Sequence, residues 1–294
     1  MKRVKGILFR MLRKVKLNKI AYHLDRQISL GKDEKLTLSL NKELYNIHNG
    51  ERCFIIGNGP SINTQDLTRL AKEFTFTVNQ LSRRTDFNMI NSDVHLWTDK
   101  RFFDFDQQGN FSEDMLNVMR KVKNHNPNQI VFYSYELKKL VEKIKLDSYM
   151  KTYYIGERDL YDVSDLDKID LAYPIPGFST VIHYAICIAI YMGFKEIYLL
   201  GCDCTSFITT AQAKMKQWDN NTLYGYEVND IEKKRMEKSN NVYSIEEELR
   251  FNANVFKRYR ELNELCKKNG IRLLNATKGG LLESIDRVQF ESIL

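Results

Sequence analysis

The chain has 294 residues, of which 43% are hydrophobic and 12% aromatic, a composition that can bury the core of one large domain. Its formal net charge is +7, but residues 1–24 carry eight basic residues and no acidic one, so the remaining 270 residues sum to −1. Because the excess charge is confined to one end, the composition does not predict a nucleic-acid-binding protein.

The basic N-terminal segment has the pattern of an amphipathic helix. Its apolar residues recur at three- and four-residue spacing among lysines and arginines: Val4, Ile7, Leu8, Met11, Leu12 and Val15. Such a helix binds an anionic membrane surface and inserts its apolar face shallowly. We therefore assign residues 1–45 to an N-terminal arm and expect residues 1–24 to hold the protein at the inner face of the cell membrane. The alternative is a helix that packs on the chain's own core.

No segment of the sequence is expected to cross a membrane or to direct secretion. No uncharged run approaches the roughly 20 residues of a transmembrane helix, and the arm lacks the apolar region of a signal peptide. The five cysteines show neither disulfide nor zinc spacing. We therefore expect reduced thiols, a cytoplasmic protein and no metal site.

Apolar patterning predicts alternating strands and helices in the rest of the chain, residues 46–294. The predicted strands are residues 52–56, 74–78, 93–98, 129–133, 152–155, 196–201 and 271–274. The predicted helices are residues 61–72, 112–123, 134–145, 178–192 and 245–268. This alternation predicts an α/β fold with a mostly parallel sheet and helices on both faces, whose ligand crevice lies at the carboxyl ends of the strands.

The first predicted strand runs into a short glycine-rich loop, Gly57-Asn58-Gly59-Pro60-Ser61. Glycine lets the backbone turn sharply and approach a ligand closely. A helix that begins near Ser61, capped by its hydroxyl, would direct free N–H groups toward an anion such as phosphate. The loop lacks the third glycine of the dinucleotide fingerprint, and the chain has no Walker loop. A tight turn without a ligand is the alternative.

Polar residues also follow the other predicted strands of the crevice. They are Asn79 and Gln80, Thr98 and Asp99, and Gly201, Asp203 and Thr205. The carboxamides suit ribose hydroxyls or a base edge. Asp203 could hold a sugar hydroxyl, bind a metal, act as a base or accept from neighbouring N–H groups. Ser179 and Thr180 open the predicted helix 178–192, so a second helix N-terminus faces the same crevice.

Taken in order, these motifs resemble a known family. The loop 57–61, the Asn79-Gln80 pair, the helix opened by Ser179 and Thr180, and the run 192–203 are similar to the bacterial sialyltransferases that build lipooligosaccharide ends. They also resemble a broader set of relatives that includes pterin diphosphokinases and uncharacterised surface-glycan transferases. The C-terminal run 275–283 is closer to that broader set.

The resemblance covers roughly residues 52–285. It implies a single Rossmann-like, GT-A-like domain with an inserted lid, a CMP-activated sugar donor and no divalent metal or other cofactor. By position, it implies that Asn58 and Ser61 contact the nucleotide and that Asn79 contacts its sugar or the donor. It implies in the same way that Ser179 and Thr180 contact the donor carboxylate or the cytosine. The other crevice residues complete the donor-binding set: Gly57, Gly59, Gln80, Thr98, Gly201 and Thr205.

The chain departs from the sialyltransferases at the catalytic base. That family uses a histidine from the lid, but no histidine follows His183 in this sequence. We expect His183, and likewise His95, to be packed rather than catalytic. The candidate bases are therefore Asp203, Asp99 and Glu227, in that order.

The lid would be the polar insertion 206–243. Its aromatic residues could close over a nucleotide: Trp218, Tyr224, Tyr226 and Tyr243. The alternative is a solvated insertion with no part in binding.

These features predict a glycosyltransferase that moves a sugar from a nucleotide donor, CMP-sialic acid or a related CMP-sugar, to a bacterial surface glycan such as lipooligosaccharide, O-antigen or capsule. The first alternative is an ATP-dependent diphosphokinase of a pterin-like alcohol, in which Asp99 and Asp203 would hold Mg²⁺. The second is a non-catalytic, membrane-bound assembly protein that binds nucleotide-sugars. The expected partners are the donor, a glycan or glycolipid acceptor and the anionic membrane, with a homo-oligomer left open.

Overall fold

The computed structural model shows the predicted α/β fold, built on a seven-stranded parallel sheet. It describes Tyr22 and residues 30–103, 111–126, 128–146, 151–159, 162–214, 225, 227, 229–231, 233–234 and 244–294. The strands in chain order are β1 Arg52–Ile56, β2 Thr75–Val78, β3 Val94–Trp97, β4 Ile130–Ser134, β5 Lys151–Ile155, β6 Glu157–Arg158, β7 Ile175–Pro176, β8 Glu196–Leu200 and β9 Arg272–Asn275. All but the short β6 and β7, which pair with each other, belong to the large sheet and confirm the seven predicted strands.

The strand order β5-β4-β3-β2-β1-β8-β9 places β1 in the middle of the sheet. Ile56 at its carboxyl end lies between Thr77 of β2 and Leu200 of β8. Strands β1 to β5 follow one another outward on one side, and the chain then returns to lay β8 on the other side of β1. The topological switch point therefore lies between β1 and β8, where open α/β sheets form their ligand crevice.

Helices cover both faces of the sheet. They are α1 Lys32–Ser39, α2 Glu113–His125, α3 Lys138–Lys143, α4 Val181–Met192, α5 Ser206–Lys214 and α6 Ile245–Lys268. Because successive strand residues point to opposite faces, Ile55 belongs to the core that contains α4 and α6, whereas Phe54 and Ile56 belong to the core that contains α2. This confirms the expected two-sided packing.

Helix α4 is the most deeply buried helix of the described residues and starts at the carboxyl edge of the sheet. Its sequence is apolar almost throughout, with ten of its twelve residues buried, so it packs as a central core helix across β1, β2 and β3. The Thr180 hydroxyl caps its start, and Gly193 ends it in the left-handed conformation at φ +99°. The predicted helix, residues 178–192, ends at the same residue and begins three residues earlier.

The predicted helix 61–72 is wrong, because the segment forms two short 3₁₀ turns, Pro60–Thr64 and Leu67–Leu70. Gln65 between them is extended, at φ −120° and ψ 134°. Asp66 then accepts a hydrogen bond from the Thr68 N–H, which starts the second turn afresh. Helices α1 and α5 were not predicted.

Residues 32–44, inside the range assigned to the arm, pack on the sheet domain. Leu38 of α1 is fully buried, and Asn41 donates from Nδ2 to the carbonyl oxygens of Tyr154 (2.8 Å) and Leu171 (2.7 Å). Of residues 1–24 only Tyr22 is described, so the predicted membrane-binding helix lies outside the described residues. Within the described part of the chain, no helix combines the length and apolarity needed to cross a membrane.

Candidate functional site

The loops that follow β1 and β8 touch each other backbone to backbone at the switch point. The Gly57 N–H donates to Leu200 O (2.7 Å), and the Gly59 N–H donates to Gly201 O (2.9 Å). A Cβ atom on Gly57 would lie 2.6 Å from the Gly201 carbonyl oxygen, and Gly201 itself has φ +62°. These glycines are therefore required where the loops meet, whereas the sequence suggested that they admit a ligand.

Asp203 lies at the centre of this loop junction and is only 7% exposed. Its carboxylate accepts from the Ser61 N–H (3.1 Å) and from the Ser61 hydroxyl (2.7 Å). A Cβ on Gly59 would lie 1.9 Å from Asp203 Oδ2, and the Asp203 carbonyl accepts from Leu281 N–H (2.8 Å) in the C-terminal loop. Burial raises the pKa of Asp203, and the hydrogen bonds from Ser61 oppose that rise.

Ser61 does not cap a helix, contrary to the sequence-based expectation. The turn Pro60–Thr64 has Gly59 at its N-cap and no side-chain cap, because the Ser61 hydroxyl is directed to Asp203. Of the roles considered for Asp203, the described contacts correspond to accepting from neighbouring N–H groups. Its role as a base stays a prediction.

Asn58 and Asn79 lie side by side at the ends of the neighbouring strands β1 and β2. The Oδ1 atom of each is buried, and neither has a hydrogen-bond partner among the described residues. Asn58 donates weakly from Nδ2 to Val78 O (3.3 Å), which fixes its amide plane toward β2. A buried carbonyl oxygen without a donor costs free energy, so each of these two atoms can accept a hydrogen bond from an N–H or O–H group of a ligand.

A buried hydrogen-bonded relay holds Asn79 in place. His95 Nε2 donates to Asn79 O (3.0 Å), which requires its Nδ1 to accept from the Thr77 hydroxyl (2.7 Å). Ser92 and Gln129 continue the chain of donors behind Thr77. Burial lowers the pKa of His95 to about 3, so the ring stays neutral and keeps this tautomer.

The relay explains how Asn79 can hold a left-handed conformation, at φ +48°. Asparagine tolerates that region better than most residues, and the hydrogen bond from His95 fixes its carbonyl there. The sequence identified His95 only as a packed histidine, because its alternation with apolar residues does not reveal that it binds Asn79, sixteen residues earlier in the chain.

Two other predicted crevice residues are engaged by neighbouring arginines. Gln80 is fully buried, and its side-chain oxygen accepts from Arg83. Asp99 accepts from the backbone N–H of Arg101 (2.9 Å) and from its guanidinium. Thr98 is partly buried at the end of β3.

The start of α4 meets the same edge of the sheet, as the sequence predicted. The Thr180 hydroxyl accepts from Ile182 N–H (3.4 Å), and the Ser179 hydroxyl accepts from Asn254 Nδ2 (3.3 Å). Thr205 lies just before α5, where its carbonyl accepts from Ile208 N–H (3.0 Å).

Sequence reasoning missed a carboxylate at this edge, Glu157. One carboxylate oxygen accepts from the Ser134 hydroxyl at the end of β4 (3.2 Å), and the other accepts from the Tyr184 hydroxyl of α4. Tyr184 in turn accepts from Phe178 N–H (2.9 Å). We call Glu157, Ser134 and Tyr184 the Glu157 cluster. No local pattern marks it, because its members come from three distant elements.

One described residue of the predicted lid lies on the loop 57–61. The Gly225 N–H donates to Asn58 O (2.9 Å), and its carbonyl accepts from Arg84. Glu227, the third candidate base, is exposed. The aromatic residues predicted to cover a nucleotide lie outside the described residues: Trp218, Tyr224, Tyr226 and Tyr243.

Comparison with solved structures finds glycosyltransferases at low similarity. The sialyltransferase CstII from Campylobacter jejuni, in complex with cytidine-5'-monophosphate, is 17% identical with a TM-score of 0.46, over 82% of this chain and 85% of that one. The sialyltransferase CST-II in complex with a trisaccharide acceptor and CMP is 16% identical with a TM-score of 0.45, over 81% of this chain and 86% of that one. The MAf glycosyltransferase from Magnetospirillum magneticum AMB-1 is 13% identical with a TM-score of 0.46, over 95% of this chain and 42% of that one.

Comparison with curated proteins finds no match. The family described as 6-hydroxymethylpterin diphosphokinase MptE-like matches residues 33–208, which span β1 to β8 and include both carboxamides and Asp203. That match covers more than half of the sequence. The chain therefore belongs to the MptE-like family.

Proposed function

We propose that the protein is a glycosyltransferase that uses a nucleotide-activated sugar, CMP-sialic acid or a related CMP-sugar. The observation that carries the proposal is the pair of buried, unpartnered oxygens, Asn58 Oδ1 and Asn79 Oδ1, at adjacent strand ends beside the switch point. Ribose hydroxyls and the cytosine amino group are the donors that would satisfy them. The His95 relay supports this role, because it orders Asn79 before any ligand arrives.

The spacing of the carboxylates favours this function over the metal-dependent diphosphokinase. Asp99 follows β3 and Asp203 follows β8, which are three strand spacings apart, or about 14 Å. Mg²⁺ binds its ligands at 2.0–2.1 Å, so strands this far apart do not favour one ion shared by the two carboxylates. Each carboxylate also accepts a hydrogen bond from another residue, Asp99 from Arg101 and Asp203 from Ser61.

In the proposed reaction the nucleotide lies across the carboxyl ends of β1 and β2, and the sugar extends toward the start of α4. Ser179, Thr180 and the first N–H groups of α4 would bind an anionic donor group there. A nucleophilic hydroxyl of the acceptor displaces the nucleotide at the anomeric carbon, while hydrogen-bond donors stabilise the departing phosphate. The acceptor we propose is a bacterial surface glycan or glycolipid at the inner face of the cell membrane, reached through residues 1–24.

Thermal-shift measurements with CMP, UDP, GDP and ATP test the proposal. A ligand at 100 times its Kd stabilises the native state by about 2.7 kcal/mol, and we expect this response to CMP without added metal. Asn79→Gly keeps the left-handed backbone and removes the carboxamide, so it should weaken CMP binding about tenfold. Asn124→Ala on the exposed surface of α2 is the control and should bind like the parent. Stabilisation by ATP and Mg²⁺ but not by CMP would favour the diphosphokinase, and CMP binding without turnover would favour the assembly protein.

A further inference from the structure

The Glu157 cluster joins three elements at the carboxyl edge of the sheet. Glu157 begins β6, which is separated from the end of β5 by a single residue. Its carboxylate accepts hydrogen bonds from Ser134 of β4 and Tyr184 of α4. Both hydrogen bonds come from neutral hydroxyls. The neighbouring cations bind other carboxylates, since Arg158 donates to Glu34 (2.8 Å) and Lys100 pairs with Glu136.

This environment makes the carboxylate a stronger base than an ordinary glutamate. Burial is the largest cause of a raised pKa at Glu157, and the negative charges of Glu136 and Asp159 add to it. The hydroxyls of Tyr184 and Ser134 act in the opposite direction, because they donate to the ionised form. A carboxylate whose pKa is raised is a stronger proton acceptor than an ordinary one, which is the property that a general base requires.

The cluster also lies at a suitable distance from the proposed nucleotide site. Ser134 ends β4 and Asn79 follows β2, so the two are two strand spacings apart, or about 10 Å. The start of α4 is close to Glu157, because Tyr184, its fourth residue, donates to that carboxylate, and the helix packs across β1, β2 and β3. A nucleotide held by Asn58 and Asn79 would therefore direct its sugar toward Glu157.

We propose that Glu157 is the general base that deprotonates the acceptor hydroxyl, an assignment that rests on the proposed glycosyltransferase function. The acceptor oxygen forms a bond to the anomeric carbon of the donor sugar while its proton passes to a Glu157 carboxylate oxygen. The bond from the anomeric carbon to the phosphate oxygen breaks, and its electron pair leaves with CMP. Tyr184 is a positioning residue, which orients the carboxylate and limits its basicity.

The test measures CMP release from CMP-sialic acid in the presence of lactose as acceptor, with and without sodium azide. Glu157→Gln keeps the shape of the side chain and cannot take a proton, so the rate should fall about 10²–10⁴-fold. Azide is already an anion and needs no base, so it should restore CMP release in Glu157→Gln and form the sugar azide. Glu142→Gln, which changes an exposed carboxylate of α3 outside the Glu157 cluster, should keep the parent rate at pH 7.5.

The Tyr184→Phe variant gives a second test, the pH dependence of kcat/KM, which would not change if Tyr184 had a purely structural role. Loss of its hydrogen bond raises the Glu157 pKa further, so the acidic limb of the kcat/KM profile should shift to higher pH. A parent-like rate for Glu157→Gln, or a loss that azide does not restore, would overturn the assignment while leaving the glycosyltransferase intact. No CMP release by the parent protein would overturn the proposed function and the assignment with it.

Discussion

The hydrogen bond between Ser61 and Asp203 should contribute measurably to the stability of the loop junction. Both side chains are buried, at 8% and 7% exposure, and their 2.7 Å contact joins a hydroxyl to a carboxylate. Hydrogen bonds to charged groups contribute about 1.5–3 kcal/mol. Ser61→Ala removes this bond and leaves Asp203 Oδ2 without its donor, so the free energy of unfolding should fall by about that amount. For a chain of this size the melting temperature should fall by about 2–5 °C.

The assay compares urea and thermal unfolding of the parent, Ser61→Ala and Ser39→Ala. Ser39 is only partly buried, and its bond to Leu36 O (2.7 Å) is exposed to solvent, so its replacement should change stability by less than about 0.5 kcal/mol. A double-mutant cycle with Asp203→Asn should give a coupling energy of about 1 kcal/mol or more, because the two side chains are in contact. A loss for Ser61→Ala no larger than that for Ser39→Ala would refute the role assigned to this contact.

The pH dependence of the same variant gives a further check. The pKa of Asp203 is raised by burial, so its carboxylate takes up a proton at higher pH than an ordinary aspartate as the solution is acidified. Protonation converts the charged hydrogen bond into a neutral one, which contributes about 0.5–1.5 kcal/mol. The difference between the parent and Ser61→Ala should therefore be largest at neutral pH and shrink in acid.

Three further predictions concern the membrane, the metal and Glu157. Deletion of residues 1–24 should abolish sedimentation with anionic vesicles, and salt should weaken binding of the full chain; equal binding by both forms would contradict the membrane role. Turnover should survive EDTA, and activity restored by Mg²⁺ would favour the diphosphokinase. Asp203→Asn should keep most of the rate because the base is assigned to Glu157, and a loss of about 10²–10⁴-fold in a folded protein would return that role to Asp203. Because the folded-state pKa of Glu157 is raised, its contribution to stability is greatest below the ordinary glutamate pKa of about 4.3 and is lost as pH rises. Glu157→Gln should therefore gain stability relative to the parent as pH increases toward 7 in thermal melts, and a constant difference would count against that pKa.

The strands were predictable because a parallel sheet covered on both faces requires apolar residues on both sides of each strand. Phe54, Ile55 and Ile56 are all fully buried, although they alternate between two cores, so the sequence shows an unbroken apolar run. The helix predicted over 61–72 failed for a local reason. Asp66 competes for a backbone N–H and divides the segment, which apolar spacing alone does not reveal.

The candidate site was predictable only in part. Asn58 and Asn79 were found because each lies within two residues of a strand end, and the carboxyl ends of parallel strands meet at one edge. The partners of Asp203 and Glu157 come from residues far away in the chain, such as Ser61 and Tyr184, so no sequence window contains them. The close approach of Gly59 to Asp203 likewise depends on two loops that are far apart in the chain.

The central position of β1 has a consequence for the order in which the protein can fold. Its partners β2 and β8 are separated by more than a hundred residues, so one edge of β1 stays unpaired until β8 has been synthesised. At the usual rates of translation, about 5–20 residues per second, that interval lasts roughly 7–30 s. The first five strands would carry an open apolar edge throughout this time, and parallel pairing over long sequence separations is intrinsically slow. Chaperone dependence during synthesis, and aggregation of fragments that end before residue 196, follow from this strand order.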